Sequence, residues 1–448
     1  MRKQFLNEDR LAALGAALMG LAALLATRGA RAAWDLVPAV GLTTEVDDNA
    51  RLVPADQPSS TRTALDARLR MRSFGDRGEA YIEPRFVTDS YADSRDQPLE
   101  SNDVFLLTSA AYAFEHSNIE FQTDYRKESV LRSEIDPALP DNLTDQGPGT
   151  VDTGSGTLGT FTDERKRLDI GFNVGFVLSP RTNMRLELSR IDVGYPDQTS
   201  LIRSPFDDNE IGVRLIRQVD PRNQVSARVY FDDFHAVRND NDSQAFGVEG
   251  AFSRPLSETW SIEFAAGVAR TDYTFRPATG GVVDNAANNF TFDTAFRKRS
   301  QLTNWTIDIG RSIDPNSNGF LTVRDDLSLR MAHQFRTRLA ASFGLRGSQV
   351  DTPAESVGGG FTRDYWRASF QVEWNITPRW LLTTGIDHVT EEFPELTGTA
   401  NATSNAVMVG VRYQGLSQPG TRRPASLAPQ PQPQPAQPGR PQQLPPSR

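Results

Sequence analysis

Apolar and polar residues alternate along most of the chain. In RKRLDIGFNVGFVL, at 165–178, every second side chain from Leu168 to Leu178 is apolar, and the residues between them are mostly Asp, Gly and Asn. The same alternation returns in QVSARVYFD at 224–232 and in YWRASFQVEWNI at 365–376. A period of two predicts strands with one apolar and one polar face. These runs are long for a globular sandwich, but they match the ~9–11 residues of a tilted strand that crosses a bilayer core.

A short motif recurs where two alternating runs meet. LSPR at 178–181, VDPR at 219–222 and ITPR at 376–379 each place an apolar and a small polar residue before Pro-Arg. Proline presets the backbone for a tight turn, so each copy predicts a short hairpin connection. Longer stretches rich in Asp, Asn and Gly lie at the opposite strand ends, as in DTPAESVGGG at 351–360. Short turns at one end and long loops at the other are typical of outer-membrane barrels.

We therefore predict an all-β fold: a transmembrane antiparallel up-and-down β-barrel of about eighteen strands, with about sixteen as the alternative. An even number of strands returns the C-terminus to the side of the N-terminus. The strands are expected to begin near residues 36, 62, 79, 102, 117, 164, 182, 207, 223, 243, 259, 288, 302, 319, 334, 362, 379 and 403.

The two ends of the chain differ from the barrel region at 33–415. MRKQFLNEDR is followed by an apolar run at 11–26 and by Ala30-Arg31-Ala32, which predicts a secretory signal peptide over 1–32, with a retained membrane anchor as the alternative. Residues 416–448 are rich in Pro and Gln and predict a disordered periplasmic tail. This tail either has no function or tethers the barrel to a periplasmic partner.

If the apolar face meets lipid, the polar face lines the lumen, where charges of both signs are tolerated because water is present. Arginine rows on that face could contact an anionic or sugar-rich solute. The alternative is cross-strand ion pairing that only stiffens the wall. The candidates for lumen-lining residues are Arg68, Arg70, Arg85, Arg126, Arg185, Glu187, Arg228, Asp232, Arg338, Arg346, Arg367 and Glu373.

Three further features of the sequence bear on the predicted barrel: a tryptophan pair, an aspartate and a long segment. Trp366 and Trp374 lie on the apolar face of one strand and are candidates for aromatic girdles at the two membrane interfaces. Asp325 falls on the apolar face of its strand, which predicts a bulge or a register error there rather than a buried charge. The segment 131–162 is the best candidate for a loop that folds into the lumen, because its Gly and Pro content lets it bend.

Catalytic, cofactor and metal sites are not indicated. Asp233 and His235 share a face, but no further residue is spaced to complete a catalytic site, so a surface pair is favoured and no enzyme activity is predicted. The Asp/Asn/Gly loops, such as Asp47-Asp48-Asn49, lack EF-hand spacing and are expected to be solvated. The chain has no cysteine, which argues against a disulfide scaffold and a Cys-based zinc site, and its net charge of −9 opposes nucleic-acid binding.

The first alternating run ends in VGLTTEVDDNARLVP at 40–54, a strand that leads into an Asp-Asn element and a short apolar stretch. Together with the LSPR-type turns, this resembles the β-barrel porin family of Gram-negative outer membranes, whose members often accompany exopolysaccharide and exosortase systems. The resemblance spans residues 34–415 and implies an outer-membrane barrel that serves polysaccharide export. It implies no catalytic residues. The chain departs from the usual barrel pattern because the tail displaces a terminal aromatic residue.

The sequence thus predicts a channel, or a channel-like component, of surface exopolysaccharide export in the bacterial outer membrane. Its loops would be extracellular and its termini periplasmic. One alternative is a general diffusion porin for small hydrophilic solutes, and another is a structural or partner-binding barrel without transport. The expected partners are outer-membrane lipid, lipopolysaccharide and an anionic polysaccharide.

Overall fold

The computed structural model describes residues 33–50, 52, 59–75, 77–93, 99–130, 164–196, 203–237, 241–275, 283–316, 319–351, 362–395 and 398–415. The predicted signal peptide, the 131–162 segment and the Pro-rich tail therefore lie outside the described residues. Within the described part of the chain, no helix is long and apolar enough to cross a membrane.

The described residues form eighteen strands. They are β1 (Ala33–Asp47), β2 (Ser60–Phe74), β3 (Gly78–Asp93), β4 (Leu99–Ala113), β5 (Ser117–Ser129), β6 (Glu164–Ser179), β7 (Thr182–Gly194), β8 (Phe206–Gln218), β9 (Gln224–Ala236), β10 (Asn241–Pro255), β11 (Trp260–Phe275), β12 (Val283–Arg299), β13 (Thr303–Pro315), β14 (Leu321–Arg336), β15 (Leu339–Asp351), β16 (Thr362–Thr377), β17 (Trp380–Glu395) and β18 (Gly398–Gln414).

The strands form one closed antiparallel barrel. Each strand pairs with its neighbour in the sequence, and β1 closes the sheet by pairing with β18 from Ala39↔Gln414 to Asp47↔Ala406. This confirms the predicted fold class and decides between the two predicted strand numbers in favour of eighteen. The largest boundary errors are at β12 and β18, which begin earlier than predicted, and at β15, which begins later.

Short turns close one end of the barrel, which we call the turn end, and the opposite end is the loop end. In the Pro-Arg turns, the polar residue before proline accepts hydrogen bonds from the turn backbone, which explains why this motif recurs. Asp220 Oδ1 accepts hydrogen bonds from the backbone N–H groups of Arg222 at 2.8 Å and Asn223 at 2.9 Å. Thr377 Oγ1 accepts them in the same way from Arg379 at 3.2 Å and from Trp380 at 3.1 Å. A short polar side chain thus satisfies the turn backbone while proline fixes its direction.

One face of the sheet is apolar and exposed. On β9, for example, Val225, Val229 and Phe231 are exposed, while the residues between them are more covered. The exposed apolar side chains recur on strand after strand around the barrel, and an apolar surface of this extent marks contact with lipid or protein. Asp325 lies on this face without a bulge and pairs with Arg311, with a closest N–O distance of 3.6 Å. The predicted bulge is wrong, because the neighbouring strand supplies the partner.

The barrel wall is interrupted between β12 and β13 at the loop end. Among the described residues, the two strands pair only from Phe292↔Arg311 to Arg299↔Asn304, although β12 continues to pair with β11 as far as Val283. Residues 312–315 of β13 pair with β14 alone. Pro315, which has no N–H to donate to a second neighbour, fits this edge position. The loop-end part of the β13–β14 connection, residues 312–316 and 319–322, therefore leaves the wall, and we call it the inward hairpin.

Candidate functional site

The polar face of the sheet is the inner face of the barrel. Arg214 on β8 contacts Glu249 on β10 at 3.2 Å, across the intervening strand β9. Side chains can meet over a neighbouring strand in this way on the concave side of a curved sheet. The charged residues that share this face with Arg214 therefore point into the lumen.

Most of the predicted lumen-lining arginines are on the inner face and hold carboxylates. Nitrogen–oxygen distances in these pairs run from 2.5 Å for Arg126–Asp124 to 3.8 Å for Arg346–Asp326. The other pairs are Arg228–Glu187 at 2.7 Å, Arg70–Glu83 at 2.9 Å, Arg85–Asp66 at 3.1 Å, Arg185–Glu120 at 3.3 Å and Arg367–Asp387 at 3.0 Å. This pairing is the arrangement expected of a stiffened wall, whereas contact between these arginines and a solute stays a prediction.

Three predicted lumen residues, Arg338, Glu373 and Arg68, differ from these ion pairs. Arg338 is exposed in the turn between β14 and β15, so its assignment to the inner wall is wrong, because β15 begins at Leu339 and not near residue 334 as predicted. Glu373 accepts a hydrogen bond from Gln371 on its own strand at 3.4 Å. Arg68 faces Arg85 in the register of β2 and β3.

The densest polar network lies on β7–β10. Glu187 accepts hydrogen bonds from Arg214 Nε at 2.9 Å and from Arg228 Nε at 2.7 Å. The same arginines extend to Glu249 at 3.2 Å and to Glu210 at 2.6 Å. Each charged group in this network contacts a group of opposite charge. The network therefore links four strands and leaves neither of its two arginines free for a solute.

The inward hairpin narrows the lumen at the loop end. Its Leu321 is buried against Phe234, Phe206 and Val193, which belong to the inner faces of β9, β8 and β7. Asn241 of β10 donates a hydrogen bond from Nδ2 to the carbonyl oxygen of Gly319 at 2.7 Å. The hairpin thus crosses from β13 to the wall formed by β7–β10.

Gly319 makes this docking possible. Its φ is +82°, and a Cβ built on it would lie 2.8 Å from the Cβ atoms of both Ala236 and Ser204. Both contacts involve atoms fixed to the backbone, so only glycine fits here. The predicted in-folding segment, 131–162, lies outside the described residues, and this hairpin was not predicted. The sequence signals near it are Pro315 and the Asn318-Gly319 pair.

The first loop also turns inward. Asn49 is fully buried and donates from Nδ2 to the carbonyl oxygen of Thr403 at 2.8 Å, while its N–H bonds Asp47 Oδ1 at 2.7 Å. Leu52, with φ +49°, is buried against Ala402 of β18. The expectation that this Asp/Asn segment is solvated is therefore wrong for Asn49. Asn49 and Leu52 of this segment contact β18 and so stabilise the pairing of β1 with β18. This gives a structural reason for the Asp-Asn element and the apolar residue that follows it.

The acid–imidazole pair suggested by Asp233 and His235 does not form. His235 Nδ1 lies 2.5 Å from Asp242 on β10, and Asp233 instead accepts a hydrogen bond from Gln244 at 3.2 Å. Both are cross-strand contacts on the outer face. Among the described residues, no group of three or more His, Cys, Asp or Glu side chains is arranged to hold a metal ion.

Tryptophans mark the outer face near both ends of the barrel. Trp366, near the loop end of β16, is 47% exposed, and Trp374, near the turn end, is 49% exposed. Trp34, Trp260 and Trp380 are also exposed at the turn end. These positions suit the predicted interfacial girdles, and the turn-end group is larger than the sequence analysis anticipated.

Comparisons with known proteins give distant likenesses only. No family model matches the chain, and no curated protein matches it. The solved structures of Pseudomonas aeruginosa OccK7 (OpdD) and OccK2 (OpdF) are 14% and 10% identical to it, with TM-scores of 0.41 and 0.43. They cover 86% and 85% of this chain, and 99% and 98% of their own chains. A BenF-like porin from Pseudomonas fluorescens Pf-5 is 10% identical, with a TM-score of 0.41, over 86% of this chain and 99% of that one. Similarity at this level assigns neither a family nor a substrate.

Proposed function

We propose that the protein is an outer-membrane channel through which small hydrophilic solutes diffuse. The observation that carries this proposal is the two-faced barrel: exposed apolar residues outside, charged residues inside, and a sheet closed by β1 and β18. A closed barrel satisfies its backbone hydrogen bonds within the sheet, which is the condition for crossing a bilayer with strands. A charged inner face in turn requires water.

The ends of the barrel support an orientation. Both β1 and β18 have their terminal ends, Ala33 and Gln414, at the turn end. In outer-membrane barrels the short turns are periplasmic and the longer loops extracellular. We therefore place the turn end, with its exposed tryptophans, in the periplasm, and the inward hairpin at the extracellular mouth.

The inward hairpin favours small solutes over polymers. It brings Leu321 and Gly319 against the inner face of β7–β10, so the mouth is narrower than the barrel itself. A polysaccharide chain would need this hairpin to move. Export of exopolysaccharide, which the sequence resemblance implied, stays a prediction, and so does a barrel that only binds a partner.

The test is single-channel recording in planar bilayers, with protein purified from membranes after expression of the full chain. We expect stepwise conductance, uptake of small sugars in a liposome-swelling assay, and exclusion of larger oligosaccharides. A correctly folded barrel without conductance would contradict the proposal and leave the structural role. Conductance that acidic polysaccharide blocks, and small sugars do not, would instead favour export.

A further inference from the structure

Not every carboxylate on the inner wall has a basic partner. Asp208 on β8 and Asp232 on β9 lie on neighbouring strands, and their carboxyl groups interact directly. Asp208 is only 9% exposed, yet its Oδ1 accepts no hydrogen bond from any described residue, and neither does Oδ1 of Asp232. The charged groups around Asp208 include Glu210 and Asp314 of the inward hairpin, which are acids as well.

Asp293 is a third such carboxylate, deeper in the barrel. It lies on β12 between Phe292 and Thr294, whose side chains are on the outer face, and it is exposed to the lumen. It makes no hydrogen bond or ion pair with any residue that the structure describes. Arg297, the basic residue of the same strand whose charge acts on Asp293, is held by Glu263 at 2.6 Å.

These carboxylates all belong to the wall from β8 to β12. The described arginines of that wall are engaged in the Glu187 network or with Glu263, so they do not offset Asp293 or the charge that the touching Asp208–Asp232 pair retains. Two carboxyl groups in direct contact are not both ionised, so this pair holds one shared proton and one negative charge. A passage lined by uncompensated charge of one sign concentrates ions of the opposite sign, and acidic side chains on a pore wall select cations. Most of the described arginines elsewhere on the inner face would offer an anion little, because carboxylates already hold them.

We infer that the channel selects cations over anions, and that Asp208, Asp232 and Asp293 determine this selectivity. The solutes favoured are monovalent inorganic cations and small molecules with an ammonium group. This inference rests on the proposed channel function and specifies the class of solute.

The experiment is the reversal potential of the full-length protein in a bilayer with a KCl gradient. We expect a cation preference for the unmodified protein. Asp293→Asn should lower the K⁺/Cl⁻ permeability ratio by about tenfold, because one charge ~6 Å from the ion path in a water-like dielectric favours K⁺ about threefold and disfavours Cl⁻ about threefold. Asp208→Asn/Asp232→Asn should lower it further. The control is Asp272→Asn, which removes an exposed outer-face charge that pairs with Arg270 at 3.1 Å and should leave the ratio unchanged.

The outcomes are distinct. Open channels that are unselective or prefer anions would overturn the inference and leave the channel itself intact. Equal effects of Asp293→Asn and Asp272→Asn would also overturn it, because surface charge rather than the wall would then set the ratio. Absence of conductance from a folded barrel would overturn the channel and the inference together. If the double variant fails to fold, Asp293→Asn decides alone, since that side chain is exposed and unbonded.

Discussion

Replacement of Gly319 by alanine should release the inward hairpin from the barrel wall. The residue has φ +82°, and the added methyl group would lie 2.8 Å from the Cβ atoms of Ala236 and Ser204. Neither neighbour can turn away by a side-chain rotation, because its Cβ is bonded directly to the backbone. The hairpin must therefore shift as a unit or leave its site.

The structure sets the size of the effect. An L-residue in the left-handed region costs about 1–2 kcal/mol, and overpacking by one methyl group adds about 1–3 kcal/mol. Docking is held by burial of Phe320 and Leu321, worth about 1.5–3 kcal/mol each, and by the hydrogen bond from Asn241, worth about 1 kcal/mol. The cost of the substitution is thus comparable to the docking energy. Even a loss of 2 kcal/mol shifts the docked-to-released ratio by about thirtyfold.

Cysteine labelling measures this shift. The chain contains no cysteine, and Ser204 is fully buried beneath Gly319, so Ser204→Cys introduces one covered thiol. A membrane-impermeant maleimide should label that thiol about thirtyfold faster after Gly319→Ala, and single-channel conductance should rise. Gly250→Ala is the matched control, because a Cβ at Gly250 meets no atom within 4 Å. Unchanged labelling and conductance after Gly319→Ala would refute the docked hairpin.

Three other predictions concern the wall and its turns. Hydrogen bonds from the Asn223 side chain and the Arg222 backbone hold the pKa of Asp220 below its ordinary value. The Asp220 carboxylate should therefore stabilise the protein fully above the ordinary aspartate pKa of about 3.9, and this contribution should vanish as the pH falls through the lowered value. Urea unfolding across this pH range should show the decrease in stability. Asp220→Ala should abolish this part of the pH dependence. Arg228→Ala should cost about 2–3 kcal/mol in urea unfolding, because it leaves Glu210 uncompensated and Glu187 with Arg214 alone. The exposed Arg270→Ala should cost less than about 1 kcal/mol. Asn49→Ala should lower the thermal unfolding temperature by loosening the β1–β18 seam, while its neighbour variant Asp48→Asn should have a smaller effect.

Much of the wall could be predicted from the sequence because its determinants are local. Alternation assigns each residue of a strand to one of two faces, so Trp366, Trp374 and most of the arginines could be placed without a structure. The Pro-Arg turns are equally local, since the acceptor at Asp220 or Thr377 and its donors lie within three residues of each other. Errors arose at strand ends, as for Arg338, where the period continues by chance into a turn.

The arrangement across the lumen depends on contacts between residues far apart in the chain. Alternation placed Asp325 on the outer face, but only the register of β13 against β14 supplied Arg311 as its partner. It could likewise place Asp232 and Asp293 on the inner face without showing that neither forms an ion pair with a described basic residue. The inward hairpin is the clearest case. Its path is decided by the fit of Gly319 against Ser204 and Ala236 and by the burial of Leu321, which no pattern within residues 312–322 encodes, because the surface it meets is built by other strands.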